Sequence, residues 1–295
     1  MAWAEIRRAI ALRYPFMPSR GRVPLLQGAT EAIPEGRIVE TRHRLRVKVQ
    51  PDWMYHDVYY WGDYEPYHTK IFRLLVEPGD TVFDIGANFG WFTGLFADWV
   101  GPNGRVHAFE PVPFIYTLAE ETLALNELTS RVTLNPIALG RARGVLTLRT
   151  YAGLPHGHAT AADLGRDDAT EHLSEITTLD DYCAKHRIDV IDFIKVDVEG
   201  FEPDVFAGGR IMLGSPRAPV VAFEINSECL RARSLASRDV IAALRDVGYS
   251  EFYAFSTRAG VRRLTSDDLE YGDCLAAKTV EGRLARALRA NRVLR

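Results

Sequence analysis

From residue 80 onward the chain repeats one unit: a short apolar run of strand length, a glycine or an acid, then a stretch with helical periodicity. TVFDIGA (81–87) precedes a helical pattern at 90–99, and RVHAFEP (105–111) precedes one at 113–126. VTLNPIAL (132–139) reads as a third strand. Residues 144–178 are the least regular part, with a strand at VLTLRT (145–150) and a loop containing histidines. A helix over 179–187 precedes VIDFIKVDVEG (190–200), and PVVAFEI (219–225) follows. The series ends with a helix over 237–247 capped by Ser237 or Ser234, then EFYAFS (251–256) and CLAAK (274–278). Parallel strands need a crossover, so strands alternating with helices predict an α/β fold: a doubly wound, mostly parallel sheet covered on both faces. This domain spans 63–280. Residues 1–62 form an N-terminal extension, with a short amphipathic helix at 1–14 and chain breaks at Pro15, Pro18, Gly21 and Pro24. In the same extension, RIVETRHRLRVKV (37–49) alternates as a strand or hairpin would. Residues 281–295 form a basic tail.

Composition narrows the class. Apolar residues at 47% and charged residues at 25% suit a globular protein, and 295 residues suffice for a sizeable core. Three scattered cysteines, Cys183, Cys229 and Cys274, support neither a disulfide framework nor a cysteine zinc site. The N-terminus has charges inside its apolar stretch, and no run approaches the ~20 residues that span a bilayer, so a cytoplasmic protein without a transmembrane segment is expected. The net charge of −3 is uneven: the ends are basic and the middle acidic, which argues against nucleic acid as a partner. Arginines 283, 286, 289, 292 and 295 recur every third residue and could line a homo-oligomer contact or an anionic surface. A solvated helix is the default for them.

Four of the strands end in a carboxylate: Asp84, Glu110, Asp197 and Glu224. In doubly wound sheets the ligand sits beyond the carboxyl ends of the strands. Acids gathered there are costly to desolvate unless they serve a ligand. The first strand leads into Asp84-Ile85-Gly86-Ala87-Asn88-Phe89-Gly90, and Glu110 falls twenty residues after Gly90, placed to accept both hydroxyls of a ribose. A dinucleotide site requires G-x-G-x-x-G; here the middle glycine is Asn88, and Asp84 stands where a pyrophosphate would be repelled. S-adenosylmethionine carries a ribose, a sulfonium and an ammonium but no phosphate, so acids favour it. A nicotinamide dehydrogenase is the competing assignment.

These segments resemble the FkbM family of S-adenosylmethionine-dependent, class I methyltransferases, whose fold is Rossmann-like. The matching pieces are GDYEP (62–66), PGDTVFDIGANFGWFT (78–93), GRVHAFEP (104–111), IALG (137–140), TTLDDY (177–182), DFIKVDVEGFEPDVFAGG (192–209) and VVAFEI (220–225). The resemblance implies O-methylation of a hydroxyl on a small molecule or saccharide. It implies that Gly86, Asn88 and Gly90 line the methionine end of the cofactor, that Glu110 holds the ribose, that Glu65 reaches toward the methionine tail and that Ala138 flanks the adenine. Asp197, Glu199 and Lys195 would stand beside the transferable methyl, with Asp197 taking the acceptor proton and Glu199 and Lys195 forming a supporting ion pair. His156 and His158 are alternative bases in the loop YAGLPHGHAT. Asp197, Glu224 and Asn226 could chelate Mg²⁺. The aromatic stretch Trp53, Tyr55, Tyr59, Tyr60, Trp61 and Tyr64 either stacks on an acceptor or packs the extension onto the domain. The other functional readings are a non-catalytic S-adenosylmethionine-binding scaffold or regulator, and methylation of a protein or RNA.

Overall fold

A computed structural model of the chain describes residues 33–152, 154, 158–256, 260–291 and 293. The helix expected over 1–14, the breaks that follow it, His156, Arg292 and Arg295 lie outside these residues. A hairpin opens the described chain, β1 (Ile38–Glu40) antiparallel to β2 (Arg46–Lys48). Two short helices follow, α1 (His56–Trp61) and α2 (Pro66–Leu75). The βα series then runs β3 (Thr81–Ile85), α3 (Trp91–Val100), β4 (Arg105–Phe109), α4 (Pro113–Leu125) and β5 (Val132–Asn135). Next come β6 (Ala138–Leu139), β7 (Gly144–Tyr151), β8 (Ala169–Thr177), α5 (Leu179–His186) and β9 (Phe193–Val196). The chain continues through α6 (Glu202–Ala207), α7 (Arg210–Gly214), β10 (Val220–Asn226), α8 (Ser227–Ala232) and α9 (Ser237–Arg245). It closes with β11 (Glu251–Ser256), β12 (Gly260–Arg263), β13 (Tyr271–Ala277) and α10 (Gly282–Ala290).

The central sheet has the order β12-β11-β13-β10-β9-β3-β4-β5. The five strands from β10 to β5 are parallel, and β13 enters antiparallel beside β10. β3 and β9 are its centre, and β9 is buried at every position. Chain order reverses between β3 and β9, so the crossovers leave toward opposite sides and a crevice opens beyond their carboxyl ends. Alternating residues serve opposite faces. Val82 and Ala222 join one apolar cluster with Phe72, Phe96 and Leu288, while Phe83, Val221 and Phe223 join a second with Phe206 and Leu244.

Several sequence expectations are confirmed in place, among them the hairpin, the helix after Glu65 and the strand–helix pairs of 81–125. Others need correction. Residues 132–139 are two strands in different sheets, because Pro136 cannot continue a ladder. Residues 144–178 contain a long antiparallel pair, β7 with β8, which joins β6 in a separate three-stranded sheet. Neither Ser237 nor Ser234 caps α9: Ala236 is the N-cap residue, and its N–H donates to the Asp239 carboxylate at 2.7 Å. The tail helix α10 is not merely solvated. Its Leu284, Ala285, Ala287 and Leu288 are buried, and Arg283 bonds Asp80 and the Leu75 carbonyl. Of the aromatic stretch, Tyr55, Tyr59, Tyr60 and Trp61 are core residues, so it mainly packs the extension onto the domain. Among the described residues no helix is long and apolar enough to cross a membrane.

Candidate active site

A cleft of about 240 Å³ opens at the carboxyl ends of β3, β4, β9 and β10. Its apolar wall is Phe109, Pro111, Ile137, Ala138 and Leu139, continued by Leu146 and Leu148 from β7. Its polar wall carries six carboxylates, Asp57, Glu65, Glu110, Asp197, Glu199 and Glu224, and among the described residues no lysine or arginine lines it. The excess of negative charge suits a ligand that brings positive charge and no phosphate.

The turn after β3 is tied to the end of β4, since the Gly86 and Ala87 N–H groups both donate to the Phe109 carbonyl. Gly86 has φ +84°, and a β-carbon there would lie 1.8 Å from the Asp197 carbonyl oxygen. Only glycine permits the two central loops to approach so closely. Glu110 Oε2 accepts the Asn88 N–H at 2.9 Å and Oε1 accepts the Val112 N–H at 3.1 Å. Burial pushes the Glu110 carboxyl up to about 7 despite these bonds. Glu65 is likewise pushed up to about 7, by burial first and against the pull of His68. Non-glycine residues in the left-handed region cost roughly 1–2 kcal/mol each. Among the described residues seven adopt this conformation, and three of them, Glu65, Asn88 and Glu199, line this one cleft, the concentration expected where geometry serves a ligand.

Lys195 sits beneath the cleft and not in its lining. In the parallel register Asp84 of β3 stands opposite Lys195 of β9. Lys195 Nζ lies 3.5 Å from Asp84 Oδ1 and 3.2 Å from Asp197 Oδ2, and it donates to the Gly86 carbonyl at 3.1 Å. Burial favours the neutral amine, but Asp197 and Asp84 outweigh it and hold the ammonium charged. Asp84 is fully buried and accepts the Thr93 hydroxyl at 2.6 Å. Glu199 pairs with His158 instead of Lys195: His158 Nδ1 lies 3.0 Å from Glu199 Oε1. The bond to Glu199 raises the His158 imidazole above its usual value, burial opposing. Asn226 Nδ2 donates to Glu199 Oε2 at 2.7 Å, and the Thr160 hydroxyl donates to the Glu199 carbonyl at 2.7 Å, fastening the loop that carries His158 to the turn after β9.

The cleft therefore gathers Glu65, Gly86, Asn88, Glu110, Ala138, His158, Asp197, Glu199 and Glu224 from the residues expected. It does not gather four others. Asp84 and Lys195 form a pair below it, and Gly90 packs at the start of α3, where a β-carbon would meet Ala119 Cα at 3.2 Å. Asn226 spends its carbonyl on the Glu228 and Cys229 N–H groups at the start of α8 and its amide nitrogen on Glu199, so it offers no free oxygen to a metal. Instead Asp197, Glu199 and Glu224 bring carboxylate oxygens within 4.8 Å of one another. Residues missed in the sequence are Met54, His56 and Asp57 around α1, and Tyr271, whose hydroxyl donates to Glu224 Oε1. Tyr64 was visible in the aromatic run, whereas Tyr271 had no local signal.

A sequence model of the FkbM methyltransferase domain matches residues 84–251, more than half of the chain. The 31-O-demethyl-FK506 methyltransferase FkbM of Streptomyces tacrolimicus is 30% identical over 203 residues, covering 59% of this chain and 74% of that protein. The 2-O-methyltransferase NoeI of Sinorhizobium fredii is 29% identical over 165 residues, covering 51% of this chain and 65% of that protein. A crystal structure of an FkbM methyltransferase from Methylobacillus flagellatus aligns at TM-score 0.42 and 16% identity, over 75% of this chain and 52% of that one. The matched span runs from the acid of β3 through the cleft-forming turns to the first residue of β11, and the chain belongs to the FkbM methyltransferase family.

Proposed function

We propose that the protein transfers the methyl group of S-adenosylmethionine to a hydroxyl oxygen of a small molecule or saccharide. The observation that carries this reading is the division of one cleft into two ends. One end has a buried carboxylate, Glu110, beside an apolar wall that includes Ala138, which suits a ribose and an adenine. The other has an imidazole, His158, held through Nδ1 by Glu199, beside Asp197. Gly86, the left-handed Asn88 and Glu65 line the same cleft, where the methionine tail would run.

The cofactor supplies an already activated methyl: its C–S bond breaks with the electron pair left on sulfur as the new C–O bond forms. The protein's part is to hold the two reactants in line and to remove a proton. His158 Nε2 accepts the hydroxyl proton as the oxygen attacks and later returns it to solvent, and Glu199 fixes the ring for that task. Lys195 holds the Asp197 carboxylate from below, its Nζ 3.2 Å from Oδ2. A nucleic-acid acceptor would bring phosphates against the six carboxylates, which disfavours it. Incubation with methyl-labelled S-adenosylmethionine and a panel of polyols, glycosides and hydroxylated macrocycles tests the reading. Label should appear as a methyl ether together with S-adenosylhomocysteine. Label found only on protein or RNA, or no turnover with bound cofactor, would replace it.

A further inference from the structure

The three carboxylates at the ends of β9 and β10 form a group that the positioning of S-adenosylmethionine does not use up. Asp197 and Glu199 leave the turn after β9, and Glu224 projects from the neighbouring strand, all into the same cleft. Their oxygens lie within 4.8 Å of one another. An octahedral ion with oxygen ligands holds them about 3–5 Å apart. Such proximity alone would be mere repulsion, but Glu224 adds a second observation. The residue is only 7% exposed, and its Oε2 is buried without a hydrogen-bond partner, while Oε1 takes the Tyr271 hydroxyl. A carboxylate oxygen removed from water and left unmatched costs several kcal/mol. Lys195 Nζ is already committed to Asp84, Asp197 and the Gly86 carbonyl, and Glu224 Oε2 has no hydrogen-bond partner of its own.

We infer that Asp197, Glu199 and Glu224 bind one hard divalent cation, Mg²⁺ or Mn²⁺, at the acceptor end of the cleft. The ligand set is three carboxyl groups, all oxygen, which selects these ions over softer metals. Mg²⁺ retains several waters in such sites, so open positions remain for an acceptor hydroxyl. A hydroxyl on the cation is acidified, and its proton leaves to His158 Nε2 at lower cost. That role rests on the hydroxyl-acceptor reading above; the binding of the ion does not. Asn226, expected from sequence as a ligand, acts instead by orienting Glu199.

The test is titration of the full-length, EDTA-treated protein with MnCl₂, following free Mn²⁺ by electron paramagnetic resonance. S-adenosylhomocysteine binding is measured in parallel by calorimetry. One Mn²⁺ per chain is expected. Glu224→Gln and Glu199→Gln should each weaken Mn²⁺ by tenfold or more, roughly the loss of one charged ligand contact, while S-adenosylhomocysteine still binds. The inference is overturned if Mn²⁺ does not bind, if both variants bind it like the parent, or if both lose S-adenosylhomocysteine binding as well, since the acids then serve the cofactor or the fold. Bound Mn²⁺ without methylation of any hydroxyl leaves the cation site standing and removes the hydroxyl reading. Full methyl transfer in EDTA leaves the hydroxyl reading standing and removes the cation's role in activating the acceptor.

Discussion

Lys195 and His158 divide the work that a sequence motif would assign to one active-site cluster. Lys195 is a structural counter-ion. It neutralises Asp84, whose side chain has no exposure at all, in a pair set by strand register. Removing one partner of a buried ion pair typically costs 3–5 kcal/mol, because the other charge stays behind. Lys195→Met should therefore lower unfolding free energy by about 3–5 kcal/mol in urea titrations. Adding Asp84→Asn should recover much of that loss. An unchanged midpoint in the single variant would place the ammonium's value elsewhere. His158 is a different case, partly exposed and held at one nitrogen. Replacing a general base commonly costs ~10²–10⁴-fold in rate. His158→Gln should lose at least ~10²-fold in kcat while S-adenosylhomocysteine affinity stays at the parent value. A fall in affinity without a fall in kcat would make the residue part of the binding wall.

At the scale of elements, Arg283 is the arginine that ties the C-terminal helix α10 to the entrance of β3, beside an Arg286–Glu77 pair. Arg283 Nη2 bonds Asp80 Oδ1 at 3.1 Å, Nη1 bonds the Leu75 carbonyl at 3.0 Å, and Asp192 and Glu77 lie within 3.6 and 3.7 Å. Asp80 is 6% exposed, so Arg283→Met should destabilise by roughly 2 kcal/mol, the worth of a hydrogen-bonded charge. The loss should appear in thermal unfolding with no change in cofactor affinity, since α10 does not reach the cleft. What the sequence made legible follows from burial. β9 and β10 are apolar nearly throughout, as central parallel strands must be, and the glycine turn after β3 is a local pattern. β8 was missed because almost none of its residues is fully buried, so Ala169–Thr177 carries no apolar alternation. The cleft divides the same way. Gly86, Asn88, Glu110 and Asp197 follow strands that could be recognised, and Glu224 lies near the end of one. Asp57, Leu148 and Tyr271 reach it from the extension, the side sheet and an inserted antiparallel strand, a convergence set by packing. The Asp84–Lys195 pair was readable in principle, since both residues precede the strand's last position by one, but it required knowing that β3 and β9 are neighbours.

For the molecule as a whole, the two apolar clusters meet on opposite faces of one sheet, and the ligand site lies at the edge where both end. A ligand filling this cleft should stabilise both halves together. At a hundredfold excess over Kd a bound ligand adds about 2.7 kcal/mol. For a chain of this size that is a rise in Tm of roughly 5 °C. The size of the rise should depend on pH. Glu110, pushed up to about 7, is surrounded by the Asn88 and Val112 N–H groups, with Lys195 pulling its pKa down and Asp84 pushing it up. Glu65, also near 7, faces His68, Asp197, Asp273 and Lys195. A carboxyl raised above its unfolded value weakens the free protein as pH climbs from its unfolded pKa through 7, because the unfolded chain gives up the proton first. A ribose donates its hydroxyls to the carboxylate form, so the ligand relieves that penalty where it is largest. The rise in Tm caused by S-adenosylhomocysteine should thus be greater at pH 8 than at pH 6, by up to about a tenfold change in Kd for Glu110. Glu110→Gln should weaken binding roughly 10- to 100-fold and flatten that pH dependence. Differential scanning fluorimetry at both pH values, with and without ligand, reads all of this. An equal rise at the two values in the parent protein would mean that Glu110 does not meet the ribose.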